Sequence, residues 1–437
     1  AQGLIIKTGD ACRVLQDIHR RYTIQTLWSH EETWNGWTYE RDKKVKKWSV
    51  QNAVPWQEAS RNGVIRRLKN RDGWAARWHE QMQQPLCDAP QKLQRIKEQS
   101  ETLPVASALG LKDGGCITPQ KGGRKEGLKL LLNFLHERGE GYTKEMSSPV
   151  TAFDSCSRLS AHLAFGTLSM REVFQATEAR KQEIRQMPRG TKGKWLGALR
   201  SYSGRLRWHC HFIQKLEDEP RIEFENMHPA YNGLRENAFN EKKFEAWKAG
   251  ETGYPMVDAC MRALTATGWI NFRMRAMLMS FASYHLWLHW RKTALHLAKL
   301  FTDYEPGIHY SQVQMQSGTT GINSIRIYNP VKQGIDHDPE GSFIRYWIPE
   351  LAAMDQEFIH TPWQAPDQLN GYPLPIVDEK TARKAAADKL YGLRKSTDHK
   401  ETARQIAQKH GSRKSGRPRG ATAKKKAKVN TQGELPL

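Results

Sequence analysis

Apolar and polar positions follow two different rhythms along this chain. Near the N-terminus the elements are short. Residues 3–7 (GLIIK) predict a buried strand, Thr8-Gly9-Asp10 a turn with a helix cap, residues 11–22 a helix, and residues 24–28 a second strand. A strand–helix–strand unit of this kind belongs to a parallel α/β sheet. Residues 84–122 collect Pro85, Pro90, Pro104, Pro119 and the Gly114-Gly115 pair, with Gly122-Gly123 at their end, which is connector composition. Beyond them the helical period takes over, predicting helices over 126–138, 157–181, 194–217, 241–249, 256–267 and 271–300. No internal repeat is visible.

The last of these segments adds chemistry to the pattern. Met274, Met277, Leu278, Phe281 and Leu288 form one apolar stripe, and Ala276, Met279, Trp287 and Trp290 a second, so the helix is apolar on two faces and expected to be buried. Arg273 and Arg275 lie inside it, and a buried guanidinium needs an anion, either a carboxylate or a phosphate. Asp303 and Glu305 are the carboxylates next along the chain, so an internal ion pair and a ligand role are both open.

Composition narrows the classes. The chain has 437 residues with 38% hydrophobic and 26% charged, an ordinary globular balance, and no run of about 18 apolar residues that could span a membrane. AQGLIIKTGD lacks the basic and apolar regions of a signal peptide, and its opening on Ala1 beside a strand-like run suggests a processed or truncated start. The six cysteines form no C-x-x-C pair, which speaks for reduced thiols in a cytoplasmic protein and against a zinc site or disulfide framework. A net charge of +22 calls for a polyanionic partner, with nucleic acid first and an anionic membrane surface second. Residues 401–437 carry +8 of it, and the low-complexity basic stretch beyond residue 411 is expected to be disordered. Tryptophan is the other excess: 15 residues, more than the 13 Tyr or 13 Phe, read first as core packing in a large helical domain.

Four segments together resemble the DNA photolyase/cryptochrome family: GETGYPMVDACMRALTATGW (250–269), IRIYNPVKQGIDHDPEGSFIRYWIPEL (325–351), CSRLSAHLAFG (156–166), and IHTPW with YPLPIV (359–363 and 372–377). The resemblance covers roughly residues 1–395 and implies an α/β plus all-α fold. Its parts are a partial Rossmann-like α/β domain over 1–83, a connector over 84–122, a helical FAD-binding domain over 123–395, and a basic disordered tail over 396–437.

The resemblance also implies site residues. Tyr142, Ser157, Arg158, Leu159, Ser160 and Tyr202 would contact FAD, with the hydroxyls and backbone N–H groups suited to its pyrophosphate. Arg275, paired with Asp303, would face the flavin ring, and Glu305 takes a position that is typically Asp. Arg273 would reach substrate phosphate and Trp208 would stack on a flipped-out pyrimidine dimer. The chain departs from the family at several further places, one of them Phe272, preceded by Asn271, where a flavin-facing Asn is usual. Arg205 stands where a substrate-binding Glu is usual, Cys156 replaces a Thr, and HYSQVQM (309–315) replaces the N-N-G-G-W-Q-W run, so that a substrate-facing aromatic becomes Met315. Trp290 matches the middle member of an electron relay that is otherwise broken, leaving Tyr304, Tyr310 or Trp247 as substitutes. Glu31 and Glu32 fall near antenna-contacting acids, but the truncated α/β part gives no ground for an antenna chromophore. Gly416–Gly420 (GRPRG) resembles the core of minor-groove-binding AT-hook peptides.

The resulting expectation is a monomeric, photolyase-like carbon–carbon lyase without a bound metal. It would repair pyrimidine dimers in DNA by light-driven electron transfer from reduced FAD. The alternative is a cryptochrome-like blue-light photoreceptor or flavin-binding regulator without repair activity, motivated by Arg205 and the lost relay tryptophans.

Overall fold

The computed structural model describes residues 4–92, 96–111 and 115–412. Its sheet is small: β1 (Leu27–His30) and β2 (Trp56–Ala59) run parallel in register Leu27↔Trp56 to His30↔Ala59. The crossover between them is the Gly36–Gln51 helix, capped by the Asn35 side chain on Thr38 N–H. The expected strand over residues 3–7 is corrected: Leu4–Lys7 pair with no strand, and Ile6 instead exchanges hydrogen bonds with Ser100 and Glu101 of the connector. The second strand begins three residues later than expected, at Leu27, because Pro55 carbonyl accepts from Leu27 N–H and sets the register. The Ala11–Tyr22 helix stands as expected, capped by Asp10.

Two apolar cores hold the helical part. One joins Trp74, Trp78 and Met82 of the α/β piece to Leu131, Phe134, Val173, Leu199 and Leu206, so the N-terminal part is anchored by burial rather than by a hinge. The other is built around Met256–Met261, Met274–Met279, Trp290 and Val313. The Trp195–Asp218 helix links them, packed along Pro306–Ser317.

Helix boundaries moved where backbone chemistry overrides apolar period. The expected helix 157–181 is two, Ser160–Ala164 and Met170–Gln186, separated by Gly166 at φ +67° and restarted by the Ser169 cap. The expected helix 271–300 is also two, Phe272–Ser280 and Trp290–Leu300, joined by a π-turn over Phe281–His285 and by Trp287 at φ +56°. The expectation of a disordered segment from residue 396 is corrected as well. Thr397–His410 is a helix, capped by Ser396 and held by the buried His399 and His410. The His399 ring stacks on His228 at 4.0 Å, and His410 Nε2 bonds Glu219 at 2.5 Å. Residues 413–437, including the GRPRG stretch, lie outside the described residues.

The family-like motif 250–260 has a packing role. Asp258 is fully buried and accepts from Thr252 N–H (2.9 Å), Thr252 Oγ1 (2.7 Å), Gly253 N–H (3.0 Å) and the Tyr372 hydroxyl. Ile376 N–H donates to Thr252 carbonyl and Tyr254 hydroxyl to Val377 carbonyl, so the motif and the YPLPIV stretch are two sides of one joint. Gly253, at φ +78°, has room for no Cβ: one there would lie 2.4 Å from the Leu374–Pro375 peptide.

Gly307 sets the approach of the two long helices, because a Cβ at that position would stand 2.5 Å from Ile213 Cα. Backbone cannot rotate aside, so Gly307→Ala is expected to cost about 1–3 kcal/mol of stability. Urea unfolding should show a lower midpoint with an unchanged slope.

Candidate functional site

The site begins with an ion pair. Arg275 Nη1 and Nη2 reach Asp303 Oδ1 and Oδ2 at 2.9 Å each, a parallel two-bond fork, while its Nε donates to Ile270 carbonyl at 2.7 Å. Phe301 lies under the guanidinium, its ring centre 4.2 Å from Cζ. Burial pushes the Asp303 carboxyl up, but Arg275, with help from the Ser160 hydroxyl, more than reverses this and holds it below the ordinary value. The expected pairing of Arg275 with Asp303 is present.

The second wall is the Cys156–Ser160 turn. Arg138, on a π-turn over Phe134–Arg138, donates to the carbonyls of Asp154 (2.7 Å), Cys156 and Ser157 (2.9 Å), fixing the turn from outside. Arg158 sits at φ +59°, a conformation that costs a non-glycine residue of order 1 kcal/mol or more. Its guanidinium lies over the rings of Phe153 (3.9 Å) and Trp269 (4.0 Å), which meet edge-on at 6.0 Å, and Gln120 closes this clasp with two hydrogen bonds. Burial lowers its pKa to about 10, so it stays cationic at neutral pH. Leu159 is buried, and Ser157 Oγ accepts from Leu159 N–H at 3.4 Å.

The Trp195–Asp218 helix supplies the third wall through Tyr202, Arg205 and His209, spaced to share a face. Tyr202 and Tyr142 are buried and pack edge-on at 5.9 Å, with Arg205 acting on the Tyr142 hydroxyl. His209 is held neutral by burial and the Arg61 charge, its pKa down to about 4. Glu305 is 4% exposed, and burial pushes its carboxyl up to about 8, so it is protonated at neutral pH.

These walls leave buried polar atoms unbonded: Arg158 Nε and Nη1, His209 Nδ1 and Glu305 Oε1. His209 and Arg158 both feel Asp303, and Glu305 and His209 both feel Arg61, so these groups belong to one neighbourhood. Unbonded buried donors and acceptors of this density are costly unless something fills them. A large polar ligand with anionic and amide-like edges fits that set, and FAD is such a ligand.

Other expected residues fall elsewhere. Trp208, three residues beyond Arg205, packs against His211 (4.9 Å) and Phe212 (5.4 Å) and lines a pocket of about 20 Å³ with Arg71, Trp74 and residues 411–412. Arg273 is half-buried with His337 within reach of its charge, and Met315 is half-buried on Pro306–Ser317. Trp290 is buried, bonded through Nε1 to Asn226 at 2.7 Å and 6.5 Å from the Tyr310 ring. Tyr310 meets Tyr304 hydroxyl to hydroxyl at 3.4 Å, whereas Trp247 stacks on Phe244 in the core. Sequence reasoning passed over Arg138, Gln120, Phe153, Trp269 and His209. Only Trp269, inside the 250–269 motif, carried a signal that could have flagged it.

Residues 202–391 match the model of the FAD binding domain of DNA photolyase, a span containing Tyr202, Arg275, Asp303 and Glu305. A deoxyribodipyrimidine photo-lyase of Streptomyces griseus is 35% identical over 278 residues, covering 62% of this chain and 56% of that protein. Over residues 202–391 the chain is similar to the FAD-binding domain of the DNA photolyase/cryptochrome family. Cryptochrome-2 of Arabidopsis thaliana is 33% identical over 286 residues, 61% of this chain and 45% of its own. The chain thus spans about half the length of the curated relatives it matches. Among solved structures, a bacterial class III photolyase from Agrobacterium tumefaciens superposes with a TM-score of 0.75 at 26% identity, over 90% of this chain and 84% of that one. A Synechocystis cryptochrome shares the fold, with a TM-score of 0.73 at 23% identity over 88% and 83% of the two chains. No helix among the described residues is long and apolar enough to cross a membrane, and no group of His, Cys, Asp or Glu among them could hold a metal.

Glu305 yields a pH test. Its pKa is raised on folding from about 4.5 to about 8, so the stability held by the protonated acid is complete below the lower value and lost as pH rises through the higher. Glu305→Gln cannot ionise. Between about pH 5 and pH 8 the flavin-free parent should therefore lose stability relative to the variant in denaturant titrations. Parallel profiles would remove the protonated acid from the site.

Proposed function

We propose that this chain holds FAD between the Arg275–Asp303 pair, the Cys156–Ser160 turn and the Tyr202–His209 face, and serves light-driven repair of pyrimidine dimers in DNA. The observation that carries this reading is the set of unbonded buried atoms gathered around a fixed ion pair within a photolyase FAD-binding domain. Reduced flavin, when bound, supplies under light the single electron that splits a dimer and is afterwards returned.

The rest is the work of the protein's own groups. Arg158, kept cationic and prevented from swinging by its two rings, and the Ser157 and Ser160 hydroxyls suit the pyrophosphate. Arg275 presents a fixed positive charge to the ring and Asp303 keeps it from following a substrate anion. The protonated Glu305 can donate a hydrogen bond where the usual aspartate would be charged. Neutral His209 adds a polar edge without a second charge. Arg273 would reach DNA phosphate, and DNA is the partner that the +22 charge suits.

A receptor without repair activity is the second reading, and two features favour it: Arg205 stands where the resemblance expects a substrate-binding Glu, and the stacking ring expected at Trp208 packs on His211 and Phe212. The deciding experiment is purification, a flavin absorbance spectrum, and blue-light repair by the pre-reduced protein. Oligonucleotides bearing cyclobutane dimers and six-four photoproducts would serve as separate substrates. Repair of either lesion is expected, and Arg275→Ala should lose flavin and repair together. A yellow protein that repairs neither lesion would leave the receptor reading, and a colourless one would overturn both.

A further inference from the structure

Away from that site, the Glu379–Leu393 helix and the extended residues around Ile325 form an open groove of about 520 Å³. Ile325, Ile327 and Tyr391 line it with apolar surface, and Lys380, Arg383 and Lys384 stand along it. The helical residues recur at 380, 383, 384 and 391, so they form one stripe down a single face. From Lys380 to Tyr391 the stripe is about 16 Å long at 1.5 Å per residue. Arg383 is paired with Glu379 at 3.1 Å, but Lys380 and Lys384 form no ion pair among the described residues. Lys380 also sits in the first helical turn, where the helix dipole already presents positive charge. Asp378 at the cap feels part of the Lys380 charge and Glu379 is engaged by Arg383. Tyr391 is 52% exposed at the other end of the stripe, a large ring left in solvent on an otherwise basic face.

Cations followed at helical spacing by an exposed aromatic ring over an apolar floor are the two halves of a single-strand nucleic-acid site: charge for the backbone and a flat face for a base. A duplex offers the phosphates but keeps its bases stacked on one another, out of reach of Tyr391. We propose that this groove is a second nucleic-acid site, binding an unpaired strand with its phosphates at Lys380, Arg383 and Lys384 and a base on Tyr391. It shares only the polyanionic partner with the proposed function and needs no flavin.

The test is fluorescence anisotropy in the dark on the full chain, with a labelled oligothymidylate and a hairpin duplex, each titrated across a salt series. Removing two phosphate contacts in the double variant Lys380→Gln/Lys384→Gln should reduce the steepness of log affinity against log salt for the single strand by about 1.4. Tyr391→Ala should weaken single-strand binding roughly 5- to 100-fold while leaving the salt slope and duplex affinity unchanged. Lys46→Gln/Lys47→Gln, exposed on the Gly36–Gln51 helix, should change neither. Circular dichroism confirms that each variant is folded. The proposal is overturned if the groove variants bind like the parent, if the Lys46/Lys47 variant shifts the slope as much, or if duplex binding falls as far as single-strand binding. A colourless protein that shows the expected shifts would remove the flavin reading and keep this one.

Discussion

A buried guanidinium cannot be left alone, and much of the site follows from how this chain meets that demand. Arg275 is locked by Asp303, by Ile270 carbonyl and by the Phe301 ring, which ties the Phe272–Ser280 helix to the stretch leading into Pro306–Ser317. Breaking such a pair typically costs about 3–5 kcal/mol because the surviving charge stays buried. The next residues along the chain, Tyr304 and Glu305, are carried into place by the same lock. Gly307 then lets the following helix come into contact with Ile213 on the helix that carries Tyr202, Arg205 and His209. Ion pair, acid and aromatic face are thus set by a few consecutive positions.

The same stretch shows how environment rather than residue type assigns roles. Asp303 and Glu305 are two residues apart and both almost wholly enclosed, yet one is held ionised by a fork of hydrogen bonds and the other is kept protonated by burial. Asp258 is a third case, raised to about 6 by burial although four donors face it. It shapes a turn, and the turn holds the joint between the 250–260 and 372–377 segments.

Legibility in the sequence followed the range of the interactions involved. Helices with local stop signals, such as Ala11–Tyr22 and Glu241–Ala249, were readable to the residue, because caps and period are local. The break inside 271–300 was not, since the apolar stripes run straight through the π-turn and Trp287, and only tertiary packing selects the turn. The Thr397–His410 helix was lost under its basic composition, because what stabilises it is remote: His399 on His228 and His410 on Glu219. At the site, Arg275 and Asp303 were legible as charges in an apolar run. Arg138, Gln120 and Phe153 were not, since each acts on a backbone turn or a side chain that only the fold brings near.

The clasp on Arg158 has an evolutionary consequence. A cation lying over two rings that meet edge-on at 6.0 Å gains from both at once, so losing either ring changes what the other is worth, and the three positions are thermodynamically coupled rather than additive. Lysine has no flat face to offer either ring. Arg158, Phe153 and Trp269 come from three separate stretches of sequence, yet any lineage that alters one changes the selective value of substitutions at the other two. Drift at this corner of the fold should therefore run in concerted steps, with single replacements at any of the three positions rare among descendants that keep the turn.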